Sequence, residues 1–350
     1  MKRKLNLIIL SLVFFAAGTL FTGCEDNGGT FTADEARAEL IQAGEEIMYN
    51  MGMMMQTPAM ETMVFFMGLM DVEFEPMAST NALFTKKGKT YIPGFGMASE
   101  LVSTLGTLTY SKQMGGGVFQ FNFNTGQFDL IDDNVNYIEF IFPANYEALS
   151  AGQNNASLRL QDLVIIEVPV DGYTEMLPVS ANIILRINQQ QVMNLSFQAN
   201  YNQEGLPVSV ALDLQMSPYM FNVNYTGSNG SYIATASLKE GSKTLMQNNL
   251  TLTYTQSGDD LESVNGSIQI TPLLFTGSME VLAMDNCNEN IDCMNDNMDI
   301  EVRQSAKNMK IGMLEYRMYN DPGWGNYPEL AVVYADGTYD FLADLFDIEL

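Results

Sequence analysis

The sequence predicts an α+β fold, mostly β, in which an N-terminal helical hairpin is followed by a large antiparallel meander sheet. Three observations predict it. Apolar residues recur at a helical period over residues 32–71. They alternate at period two from about residue 108 to residue 282. Short turn signals separate the alternating runs.

The helical segment opens at Thr32, with Glu35 three residues on, the spacing of a capping box that satisfies two orphan amides. Leu40, Ile41, Ile47, Met48 and Met51 then fall on one face. Thr57-Pro58 marks a second start, a cap residue with proline in the first turn, and Met60, Met63, Val64, Met67 and Met70 continue the pattern.

Among the strands, Met193, Leu195, Phe197, Ala199 and Tyr201 alternate with Asn194, Ser196, Gln198 and Asn200. Val208 to Met216, Phe119 to Phe123, Phe221 to Tyr225 and Leu250 to Tyr254 alternate in the same way. Turn signals stand at residues 124–126, 202–205, 228–230, 240–241 and 257–259. Connections this short join antiparallel neighbours. The polar face is mostly Asn, Gln, Ser and Thr. A short helix is expected at residues 145–150, a strand at 330–334 and a closing helix at 338–346. Residues 32–350 read as one domain, with a boundary near residue 283 as the alternative.

Residues 1–23 have the parts of an export signal in order. Lys2, Arg3 and Lys4 precede an apolar run from Leu5 to Ala17, and small or uncharged residues lead to Cys24. The run is shorter than the ~20 apolar residues of a transmembrane helix. The ending Phe21-Thr22-Gly23-Cys24 resembles a bacterial lipobox, with Phe21 where the usual pattern has Leu. The resemblance implies lipidation of Cys24 and a membrane-anchored lipoprotein. Residues 24–31 then read as an acidic, flexible tether. Acidic residues beside the lipidated Cys resemble an outer-membrane sorting signal, so outer-membrane anchoring is the expectation.

Composition narrows the function. Once the leader is removed, 13 basic residues stand against 42 acidic ones, a net charge of −29. That charge opposes nucleic acid and anionic head groups. The chain has no histidine, which removes the commonest general base and the usual zinc ligand. It has no GxSxG, P-loop, HExxH or GxGxxG motif. No enzyme activity is expected. Cys287 and Cys293 form an even pair in an exported chain and read as a disulfide.

Three features are candidates for function. Nine methionines fall between Met48 and Met70. Thioethers adapt to irregular apolar space, so Met60, Met63, Met67 and Met70 are candidates to line an apolar ligand, and the competing reading is ordinary core packing. Residues 285–299 carry Asp285, Glu289, Asp292, Asp296 and Asp299, oxygen ligands whose density suits Ca²⁺, although the EF-hand order is missing; the competing reading is a solvated acidic loop. No other cofactor is expected. The single Trp324 lies in the turn-rich segment 320–327, where aromatics bind sugars or protein partners.

Period-two segments of this length are also the signature of a transmembrane β-barrel. The lipobox, the helical start and the non-aromatic end Asp347-Ile348-Glu349-Leu350 oppose it. A long sheet with one apolar face, helices to cover it and a lipid anchor loosely resembles the half-barrel lipoproteins that carry lipids across the periplasm. The resemblance implies a non-enzymatic protein that binds an apolar ligand or lipid between sheet and helices. The alternative is a surface module that binds glycan or protein.

Overall fold

The computed structural model describes residues 29–70, 116–170, 173–202, 207–228, 230–255, 260–321 and 325–345. Residues 1–28, Cys24 among them, and Trp324 lie outside them.

Two helices come first, α1 (Ala33–Met55) and α2 (Pro58–Leu69). The Thr32 capping box forms: the Glu35 amide donates to Thr32 Oγ1 at 3.4 Å and the Thr32 amide to Glu35 Oε2 at 3.0 Å. Thr57 caps α2 by accepting from the Met60 amide at 3.3 Å. The buried stripe of α1 is Ala36, Leu40, Ala43 and Gly44, and that of α2 includes Met60, Met63, Phe66 and Met67.

The strands are β1 (Gly117–Asn122), β2 (Gln127–Asp132), β3 (Ile138–Phe142), β4 (Ala156–Val170), β5 (Tyr173–Ile187), β6 (Gln190–Tyr201), β7 (Pro207–Met216) and β8 (Tyr219–Ser228). They continue as β9 (Ser231–Glu240), β10 (Lys243–Tyr254), β11 (Leu261–Ile270), β12 (Leu273–Met279), β13 (Met298–Gln304), β14 (Met309–Asp321), β15 (Gly325–Val333) and β16 (Tyr339–Phe341). Short helices α3 (Tyr146–Ser150), α4 (Val281–Asp285), α5 (Ile291–Asp296) and α6 (Leu342–Leu345) interrupt them.

The sixteen strands of the described residues form one open sheet, in sequence order from β16 to β3 and ending β3-β1-β2. Neighbours are antiparallel except β1 and β3. The β1–β2 hairpin puts β2 on the outer edge, so β3 returns to the other side of β1 and runs parallel to it. The sheet continues past residue 283, because β12 and β13 pair directly and α4–α5 form an excursion between them. The closing segment differs from the expected single helix. Tyr339–Phe341 pair with Ala331–Val333 as a strand, and only the next four residues turn helical.

One face of the sheet is the core. A single row runs in register from Phe197 through Leu212, Val223, Ala236, Asn248, Ile268 and Phe275 to Val302. Every member is buried. One row further along the strands, Gly266 and Gly277 face each other across β11 and β12, at φ +150° and +151°. A Cβ on Gly277 would lie 1.8 Å from the Asp299 carbonyl oxygen, so the close passage of β13 requires glycine there.

The helices lie across this face. Contacts along the helices fall on successive strands: Arg37 on Asp340 of β16, Glu39 on Lys307 of the β13–β14 turn, Glu46 on Lys243 of β10, Thr57 beside Met216 of β7, and Phe66 on β2 and β3. The pair therefore advances across the sheet, with little contact between its members.

Candidate functional site

The methionines divide by helix face. Met60, Met63 and Met67 are 6%, 8% and 5% exposed and belong to the same packed cluster as the sheet residues. Met54, Met55 and Met70 are half-buried at its margin, while Met48 and Met53 point to solvent. Phe66 lies among the three: its ring is 4.7 Å from that of Phe142, 5.5 Å from Phe140 and 6.1 Å from Phe128. These thioethers lie against aromatic and aliphatic core, the packing role to which methionine is suited.

Cys287 and Cys293 are bonded, with Cα atoms 5.6 Å apart. The disulfide joins the turn after α4 to the first turn of α5. Asparagines in this segment do structural work: Asn290 caps α5 by accepting from the Cys293 amide at 3.0 Å. Asn295 accepts from the Tyr316 amide at 2.7 Å and donates to the Tyr316 carbonyl at 3.1 Å. It thereby satisfies the backbone of β14 beyond the last residue of that strand paired by β13. The acids are spread apart. Asp285 ends α4, Glu289 sits in a left-handed turn, Asp292 and Asp296 lie on α5, and Asp299 is on β13, all exposed. Among the described residues no three acidic or thiol groups come together in a way that could hold a metal ion.

Several polar groups are buried near the apolar face. Burial pushes the phenol of Tyr201 up to about 12, and its hydroxyl donates to the Pro178 carbonyl at 2.9 Å. Burial, with the charges of Glu329 and Asp285, pushes Tyr316 up to about 12. Tyr225 stacks on Tyr232 at 4.8 Å, and burial raises its phenol strongly. Glu329 is 3% exposed, its Oε2 has no hydrogen-bond partner, and burial followed by the charge of Asp344 raises its carboxyl. Tyr316 on β14 and Glu329 on the adjacent β15 lie close enough to interact, while Tyr201 and Tyr225 stand apart from them on β6 and β8.

The opposite face of the sheet is the more coherent arrangement. Its side chains line up in rows across the strands. One row runs from Gln198 through Ala211, Asn224, Thr235, Asn249 and Ser267 to Thr276 without a charged side chain. The next row out is Asn200, Ser209, Thr226, Ile233, Thr251, Asn265 and Ser278. The first row sinks as it crosses the sheet: Gln198 and Asn224 are exposed, Thr235 and Asn249 half-buried, and Ser267 only 5% exposed. It ends in an open groove of about 520 Å³ lined by Thr244, Ser267, Gln269, Thr271, Leu274 and Thr276 together with the β13–β14 turn. The groove wall is held in place, since Gln269 Nε2 donates to Thr271 Oγ1 at 3.1 Å and that hydroxyl donates to the Thr244 carbonyl at 2.8 Å. Strict alternation marks these residues as outward-facing in the sequence, but the rows depend on the register.

No helix among the described residues is long and apolar enough to cross a membrane. Comparison of the chain with protein-family models, with curated proteins and with solved structures finds no match.

Proposed function

We propose that this protein is an exported, lipid-anchored, non-enzymatic binding module that engages its ligand through the polar outer face of the sheet. The observation that carries the reading is the division of the sheet. The apolar face is covered by α1 and α2, with Met60, Met63 and Met67 packed into the core. The other face presents ordered rows of uncharged side chains, all of them donors or acceptors except Ala211 and Ile233, in a chain of net charge −26. The basic and apolar leader ending at Cys24 supports the anchor, and the acidic Glu25 and Asp26 beside it support the outer-membrane location.

Metabolic labelling with a fatty-acid probe tests the anchor. The wild type is expected to label and Cys24→Ala to lose the label; equal labelling of both refutes it. A second reading, an apolar ligand between helices and sheet, draws on the half-buried Met54, Met55, Leu69 and Met70 at the margin of the core. Native mass spectrometry of protein lacking residues 1–24 distinguishes the two. A mass above that of the chain, removed by delipidation, supports the second reading.

A further inference from the structure

We infer that the row from Gln198 to Thr276 binds a linear, neutral polysaccharide laid across the strands, with one end seated in the groove beside Ser267. The inference rests on the reading of the outer face as the binding surface and names the ligand class.

Charge is the first argument. The chain carries 42 acidic and 16 basic residues, yet none stands in a row that crosses seven strands. The charges that border the groove on β13 are engaged with one another: Glu301 pairs with Arg303 and, at 2.9 Å, with Lys310. A cationic or anionic ligand would find no counter-charge along the row. A neutral one loses nothing there.

The second argument is hydrogen-bond chemistry. Hydroxyls and carboxamides both donate and accept, and so do the hydroxyls of a sugar. Asn224, Thr235, Asn249, Ser267 and Thr276 offer that mixed pattern, and Leu274 in the groove offers one apolar surface for the C–H face of a pyranose.

Repetition is the third. From β8 to β12 successive strands place one such side chain every ~4.8 Å, the backbone ladder fixes the spacing, and Ala211 on β7 is the one rung without a polar group. From β11 through β13 the register has no shift. The half-buried and buried rungs from Thr235 to Thr276 suit a polymer of repeating polar units, because they lose less side-chain freedom on binding than the exposed Gln198 and Asn224 would. The groove volume lies within the usual range of ligand sites, ~300–1,000 Å³.

The experiment is calorimetry on the folded mature chain with cellohexaose, maltohexaose, xylohexaose and mannohexaose, with hexagalacturonate as a charged control. At least one neutral hexasaccharide is expected to bind at submillimolar concentration, with an affinity that does not change between 50 mM and 500 mM salt. Ser267→Tyr, which fills the groove, is expected to weaken binding at least tenfold. Asn249→Lys on the half-buried row, a second variant in case the first disturbs folding, is expected to do the same with an unchanged melting temperature. Three results overturn the inference: no neutral hexasaccharide binds at 5 mM, the charged control binds better, or Asn249→Lys leaves affinity unchanged. A protein or charged ligand that binds wild type and is lost in Asn249→Lys would refute the glycan while leaving the outer-face reading intact.

Discussion

Arg37 and Asp340, 303 residues apart in sequence, are joined by a hydrogen bond of 2.6 Å from Arg37 Nε to Asp340 Oδ2. The Tyr334 hydroxyl donates to the same carboxylate at 2.7 Å, and the Arg37 guanidinium lies 5.4 Å from the centre of the Tyr334 ring. The first turns of α1 are thus fastened to the last strand of the sheet. Asp340→Asn is expected to speed hydrogen exchange in β16 and α6 while leaving β6 to β10 protected. Unchanged exchange at the C-terminal edge would show the contact to be dispensable.

Phe66 fixes the other end of the helix pair. It is 1% exposed and touches rings on β2 and β3. Phe66→Ala is expected to lower stability by about 3–5 kcal/mol, the cost of lost burial plus a cavity. Val64, on the exposed side of α2 at 43%, should cost less than about 0.5 kcal/mol as Ala. Urea unfolding of both variants checks the contrast, and similar midpoints would contradict the placement of α2.

Gly277 is the least substitutable glycine described. A Cβ there meets the Asp299 carbonyl oxygen at 1.8 Å, which is backbone and cannot swing aside. Gly277→Ala is expected to cost about 3 kcal/mol or more through overpacking and strain. Gly126, in a turn at φ +71° with open space around it, should cost about 1 kcal/mol as Ala. Equal melting temperatures for the two variants would mean that β13 does not pass as closely as the structure places it.

Alkaline pH should unfold the protein. Tyr201 and Tyr316 are pushed up to about 12 in the fold, against ~10 in an unfolded chain. The folded state therefore keeps protons that the unfolded state releases. Their stabilisation is complete below pH 10 and is lost as pH rises towards 12. For the buried Tyr316 the loss amounts to about 3 kcal/mol. Tyrosine absorbance against pH should show late-titrating groups whose ionisation coincides with unfolding, and Tyr316→Phe should flatten the loss. A single titration at pH 10 with no change in urea midpoint would count against this.

By itself the sequence determined most of the local structure and the sidedness of the strands, because those follow from interactions within a few residues; on α1 it did not, since Ile41 and Met48, expected on the apolar face with Leu40, are 47% and 58% exposed and the small residues Ala36, Ala43 and Gly44 are buried instead. The Thr32 box and the Thr57-Pro58 start are contacts of a chain with its near neighbours. The run from Met193 to Tyr201 alternates because a strand has two faces, and Met193, Leu195, Phe197 and Ala199 are all buried in the structure. The mostly β class and the meander followed from such runs and the turns between them. The tertiary structure decided everything that joins distant residues. It put β3 beside β1, turned residues 339–341 from the expected helix into a strand on β15, and stretched the helix pair across the sheet. It left the five acids of residues 285–299 apart and gave Asn295 to the backbone of β14. It also aligned Asn224, Thr235, Asn249 and Ser267 into one row, because bulges and turn lengths set the register between strands, whereas alternation within one strand specifies only the face.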